Sequence, residues 1–150
     1  MQTTAQSKPH VLVVEDDPGV ASLMTDALSI AGFEVSTVAA AEDALGLAVM
    51  DIPFDALLTD IDLAGPINGW ELAETLREMR PDLPVIYTSG RARATSAVVP
   101  DAVFVPKPYS PFGICRLLQQ LCAAAKRDAA ATLVPAATDW LGRSQPVLVR

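Results

Sequence analysis

The chain has 150 residues, 51% hydrophobic and 19% charged, which suits about one folded domain and excludes wholesale disorder. No apolar run approaches the ~18–20 residues of a membrane span, and residues 1–8 lack the apolar stretch of a secretory signal. The formal charge of −7 is unevenly divided: residues 1–75 hold thirteen acids and one base, Lys8, whereas residues 76–150 hold five acids and ten bases, with no basic cluster of the kind a nucleic-acid binder needs.

Residues 10–14 form a short valine-rich run and read as a strand; Glu15, Asp16, Asp17 and Pro18 follow. Apolar residues at 20, 23, 24, 27, 28 and 31 then make a helical stripe closed by Gly32. Pro18 suits the first helical position with Asp17 as its cap, a metal role being the alternative for Asp17. Residues 33–38 read as a second strand, 42–50 as a helix and 55–59 as a third strand. The loop 60–69 carries Gly65, Pro66, Asn68 and Gly69, all turn formers. Residues 70–80 read as a helix stopped by Pro81; its Trp70 either packs at the mouth of a site, lies on an exposed edge or meets a partner. Residues 84–88 and 102–105 are the fourth and fifth strands. Ser110 and Pro111 open a last helix with Ile114, Leu117, Leu118, Leu121 and Cys122 facing inward.

Strands alternating with helices mean a parallel α/β sheet, doubly wound and covered on both faces. Residues 91–100 hold few strong helix formers, so only a short or irregular helix is expected there. The domain is expected to span residues 10–126. Residues 1–9 and the alanine-rich residues 127–150 are expected to be flexible, with at most one turn near residues 138–141. Cys115 and Cys122 are seven apart on one helical face, about 10 Å by helix geometry, too far for a disulfide. They read as free thiols of a reducing, cytoplasmic compartment.

In open α/β sheets, ligands lie beyond the carboxyl ends of the strands. That rule selects Glu15, Asp16 and Asp17 after the first strand and Asp60 and Asp62 after the third. It also selects Thr88, Ser89 and Gly90 after the fourth, and Lys107 and Pro108 after the fifth. Crowded carboxylates repel unless a cation neutralises them, and an all-oxygen donor set suits Mg²⁺. One aspartate of such a group can attack phosphorus. A lysine and a hydroxyl would then hold the phosphoryl oxygens.

Val13-Val14-Glu15-Asp16-Asp17, Leu57-Leu58-Thr59-Asp60, Tyr87-Thr88-Ser89-Gly90 and Lys107-Pro108 resemble the signatures of response-regulator receiver domains, the CheY-like superfamily. The resemblance implies a flavodoxin-like five-stranded sheet of order 2-1-3-4-5. It implies Asp60 as phospho-acceptor, Glu15 and Asp16 as the acidic pair that holds Mg²⁺, and the backbone carbonyl of Asp62 as a further metal ligand. Thr88 is implied as the phosphoryl-binding hydroxyl that moves on activation, Lys107 as the phosphoryl-pairing lysine before a cis bond to Pro108, and Phe104 as the aromatic switch. The implied function is two-component or phosphorelay signalling. A histidine kinase or histidine phosphotransfer protein is the donor, the only catalysis is the domain's own phosphotransfer and dephosphorylation, and output is by contact with a downstream protein.

The chain is expected to be a single-domain receiver, and its glycine- and proline-rich loop at 60–69 resembles receivers of hybrid histidine kinases. Two departures stand out. Thr88 and Lys107 are nineteen residues apart, about one helical turn short for the family, which leaves a homodimer through that face open. Phe104 cannot donate the hydrogen bond a tyrosine would. Two other readings remain: a receiver that never phosphorylates and serves as a binding module, and a haloacid-dehalogenase-type phosphatase, whose Asp-x-Asp motif matches Asp60-Ile61-Asp62.

Overall fold

A computed structural model describes residues 7–91 and 98–133. Five strands, β1 (His10–Val14), β2 (Glu34–Val38), β3 (Ala56–Asp60), β4 (Val85–Ser89) and β5 (Val103–Pro106), form one parallel sheet of order β2-β1-β3-β4-β5. The helices of the described residues are α1 (Pro18–Ile30), α2 (Ala41–Val49), α3 (Gly69–Met79) and α4 (Pro111–Leu133).

Strand alternation sorts the apolar residues onto two faces. Val11 and Val13 of β1 join Leu58 and Ile86 under Met24 and Leu28 of α1 and Ile114 and Leu118 of α4. Leu12 and Val14 join Leu57, Val85 and Tyr87 under Ala41 and Ala44 of α2 and Leu72 and Leu76 of α3. The three central strands are buried almost throughout, while β2 and β5 at the edges are only partly covered. Continuous apolar runs are what a sheet covered on both faces requires.

The helix ends explain how the chain turns at the top of the sheet. Asp17 Oδ1 accepts hydrogen bonds from the amides of Gly19 (2.9 Å) and Val20 (3.1 Å), and Pro18 occupies the first helical position. Asp17 is therefore a cap. Asn68 and Glu71 form a reciprocal capping box at the start of α3. Gly32, at φ +96°, closes α1 with its amide on Ser29 and that of Phe33 on Leu28.

Apart from the weak helix expected at 91–100, the strands and helices expected from the sequence are present within the described residues, with bounds shifted by about a residue. Helix α4 differs: it continues to Leu133, seven residues past the expected boundary at 126. The alanines at 123–125 and 129–131 supply the reason, alanine being the best helix former even without a long apolar stripe. The expected weak helix at 91–100 falls largely on residues 92–97, outside the described residues. So do residues 1–6 and the tail from 134 onward, with its expected turn at 138–141. Cys115 and Cys122 are free and buried.

One glycine sets the geometry of the loop after β3. The Gly69 amide donates to Ile61 O at 2.9 Å. A Cβ at position 69 would collide with the Asp60 carbonyl oxygen and lie 2.8 Å from Ile61 Cα. These are backbone atoms that cannot rotate away. Gly69→Ala is expected to destabilise the domain by about 3 kcal/mol, against about 1 kcal/mol for removing the α1 cap with Asp17→Ala. Urea unfolding of the two variants checks the ranking, and a cost for Gly69→Ala no larger than that of the cap would contradict the close approach.

Candidate functional site

Parallel register brings the polar strand ends together. Val14 pairs with Thr59, Asp60 with Thr88, and Ser89 with Pro106. The residue after each pair, or the pair itself, therefore opens onto one end of the sheet. Glu15 follows β1, Asp60 ends β3, and Lys107 follows β5, its amide donating to Ser89 O at 2.9 Å.

The Lys107 ammonium bridges two buried carboxylates. Its Nζ lies 2.9 and 3.3 Å from the two oxygens of Glu15 and 3.0 Å from Asp60 Oδ2. Glu15 and Asp60 are 5% and 7% exposed, and neither could keep its charge there unpaired. Asp16 stands beside them in the open, its Oδ2 accepting from the Ala64 amide at 3.3 Å. One carboxylate oxygen from each of Glu15, Asp16 and Asp60 lies within 4.8 Å of the others. Three carboxylates face one ammonium, so a divalent cation would bring the group to neutrality. The all-oxygen donor set suits a hard ion, and exposed Asp16 leaves it a hydrated side. The residues thus fit Mg²⁺.

The other expected residues take separate places. Thr88 is buried on β4, its hydroxyl 3.5 Å from Thr59 O, at the outer limit of a hydrogen bond. Asp62 donates its amide to Asp60 Oδ1 at 3.2 Å. Its carboxylate does not join the cluster of Glu15, Asp16 and Asp60 and accepts from the Ser89 hydroxyl at 3.1 Å. Phe104 is half-buried against the core cluster that contains Tyr87. The Lys107–Pro108 bond is cis. Trp70 is buried with its ring centroid 4.4 Å from that of Tyr87, which is the packing role and not the exposed edge.

Three contributors had no assigned role in the sequence reading. Ser89 was noted only as a strand-end residue, and Gly69 only as a turn former. Tyr109, half-buried, is raised above the usual phenol range by burial and then by the nearby Glu15 charge. No motif spacing marks any of them, because each acts through a neighbour that is distant in sequence.

Burial pushes the Glu15 carboxyl up; Lys107 opposes this and Asp60 adds to it, the outcome being about 7. Burial alone would lower Lys107, but its bonds to Glu15 and Asp60 prevail and hold it above the ordinary lysine value.

The family model for the response regulator receiver domain matches residues 11–119. The transcriptional regulatory protein PrrA of Mycobacterium leprae (strain TN) is 37% identical over 95 residues, which cover 63% of this chain and 40% of PrrA. CreB of Escherichia coli (strain K12) is 28% identical over 121 residues, covering 78% of this chain and 52% of CreB. The chain thus spans 40–52% of the length of these relatives. Among solved structures, a response regulator receiver protein from Sinorhizobium medicae WSM419 superposes with a TM-score of 0.75 at 28% identity, covering 79% of this chain and 97% of that one. The receiver domain of the hybrid histidine kinase CckA gives 0.66 at 28% identity, covering 75% and 98%.

A carboxyl raised in the folded state favours folding at low pH and loses that contribution as pH rises from 4.5 through about 7. Lys107 stays charged across this window and adds no slope. Without divalent cations, Glu15→Gln is expected to match wild type near pH 4 and to exceed it in stability by on the order of 2 kcal/mol at pH 8. Unfolding by urea at the two pH values measures the gap, and Mg²⁺ at pH 8 should narrow it. A gap that does not change with pH would contradict the raised Glu15 value.

Proposed function

Because the chain belongs to the response regulator receiver family, whose members interact with histidine kinases or phosphotransfer proteins, we propose that it accepts a phosphoryl group on Asp60 from a phosphohistidine donor. The observation that carries this reading is the Lys107 ammonium held 3.0 Å from Asp60 Oδ2 beside a three-carboxylate cluster.

An Asp60 carboxylate oxygen attacks the phosphorus, an O–P bond forms, and the N–P bond to the donor imidazole breaks with its electron pair returning to nitrogen. Glu15, Asp16 and Asp60, with the Asp62 carbonyl, would hold Mg²⁺, which when bound supplies charge stabilisation to the phosphoryl oxygens. Lys107 gives up its contact with Asp60 Oδ2 and pairs with a phosphoryl oxygen. The Thr88 hydroxyl, only loosely bound to Thr59 O, is free to turn toward the new anion. The Asp62 amide steadies Asp60 Oδ1 throughout.

Output follows as a change in the surface around β4, β5 and α4, with Phe104 filling the space that Thr88 leaves, and it is read by a partner protein. The domain is a signalling module whose only chemistry is the making and loss of its own aspartyl phosphate. No described helix is long and apolar enough to cross a membrane, and a cytoplasmic site of action is part of this proposal.

Acetyl phosphate or a cognate kinase with Mg²⁺ is expected to label the wild type in an alkali-labile manner and to leave Asp60→Ala unlabelled. Chelation of Mg²⁺ should abolish labelling, and Lys107→Ala should slow it by about a hundredfold, the usual cost of losing one charge-stabilising donor. Equal labelling of wild type and Asp60→Ala would overturn the reading.

A further inference from the structure

A fourth carboxylate borders the pocket without entering it. Asp62 is two residues from Asp60, and its amide is anchored on Asp60 Oδ1 at 3.2 Å. Its backbone is therefore fixed at the pocket, and only rotation of the side chain decides where its charge goes. The carboxylate, 47% exposed, accepts the Ser89 hydroxyl at 3.1 Å and has the exposed Arg91 guanidinium 4.0 Å away. Ser89 is 4% exposed. Its hydroxyl accepts from the Arg91 amide at 3.1 Å, which leaves its one proton for Asp62. Its carbonyl accepts from the Lys107 amide at 2.9 Å, so the holder of Asp62 is itself seated against the base of the lysine.

We propose that Ser89 is a positioning residue that parks the Asp62 carboxylate outside the pocket, so that an anionic phosphodonor meets three carboxylates and not four. The inference rests on the proposed phosphoryl acceptance at Asp60. Freed from Ser89, the Asp62 carboxylate can swing toward Asp60 and Asp16. A further negative charge at that distance attracts a divalent cation and repels a phosphoryl group. The two effects have opposite signs, whereas loss of structural integrity would weaken cation binding and phosphorylation together.

The test compares wild type, Ser89→Ala, Ser89→Cys and the Ser89→Ala, Asp62→Asn double variant in two measurements. Calorimetry with MgCl₂ reads cation affinity without a phosphodonor, and initial rates with acetyl phosphate at fixed saturating Mg²⁺ read phosphorylation. Ser89→Ala is expected to bind Mg²⁺ roughly fourfold more tightly and to be phosphorylated roughly fourfold more slowly, as one added charge near 5 Å in a watery site implies. Asp62→Asn in the Ser89→Ala background should cancel both changes. Ser89→Cys, nearly the same size but only a weak donor, should shift both quantities in the directions expected of Ser89→Ala, and it keeps the test open if Ser89→Ala does not fold. Unchanged Ser89→Ala, a loss in both measurements, or changes that persist without the Asp62 charge would overturn the proposal. Wild type that cannot be labelled would instead overturn the acceptor reading, while the calorimetric comparison would still decide where Asp62 is held.

Discussion

Everything at this site depends on one ammonium group. Lys107 Nζ sits between the carboxylates of Glu15 and Asp60, which come from positions 92 and 47 residues earlier in the chain. Both acids are buried, and like charges in such a place repel strongly unless compensated. The lysine compensates only part of that charge. The pocket is left with an excess of negative charge that a divalent cation can remove.

The fold serves this arrangement by separating apolar from polar residues along each strand. Apolar residues fill β1 to its last position and the first three positions of β3 and β4, and they pack against two pairs of helices. Acids, hydroxyls and the lysine begin where the strands end. The order β2-β1-β3-β4-β5 reverses direction between β1 and β3, and a crevice opens there in any sheet of this kind. Glu15 and Asp16 enter it from one side and Asp60 from the other. Gly69 draws the start of α3 onto the backbone of Asp60 and Ile61, which ties the loop after β3 to the crevice.

The pocket is held by short bonds of unequal strength. Asp60 is held firmly by Lys107 and by the Asp62 amide, whereas Thr88 is held weakly. Under the proposed phosphorylation, new charge on Asp60 would act first on the residue that is least committed. Thr88 lies on β4 between Tyr87, which packs on Trp70, and Ser89, which holds Asp62. Thr88 is thus linked through its neighbours both to the apolar layer and to the Asp62 side chain.

Hydrophobic periodicity, caps and glycines were enough to read the α/β class, the order of elements and the strand-end position of Glu15, Asp16, Asp60, Thr88 and Lys107. Each of those signals is local, carried within about ten neighbouring residues. Helix α4 runs on to Leu133 because an alanine run lacks a stripe yet still propagates a helix. The direction of the Asp62 carboxylate, the tie between Ser89 and Lys107, the burial of Trp70 and the collision that forbids a side chain at Gly69 were not legible. They arise between segments far apart in the chain, where parallel register sets who meets whom. The sequence by itself determined which chemical groups stand at the strand ends. Only the tertiary structure decided which of them share one ammonium and which is turned away, because that choice is made by distances of about 3 Å across strands that never touch in sequence.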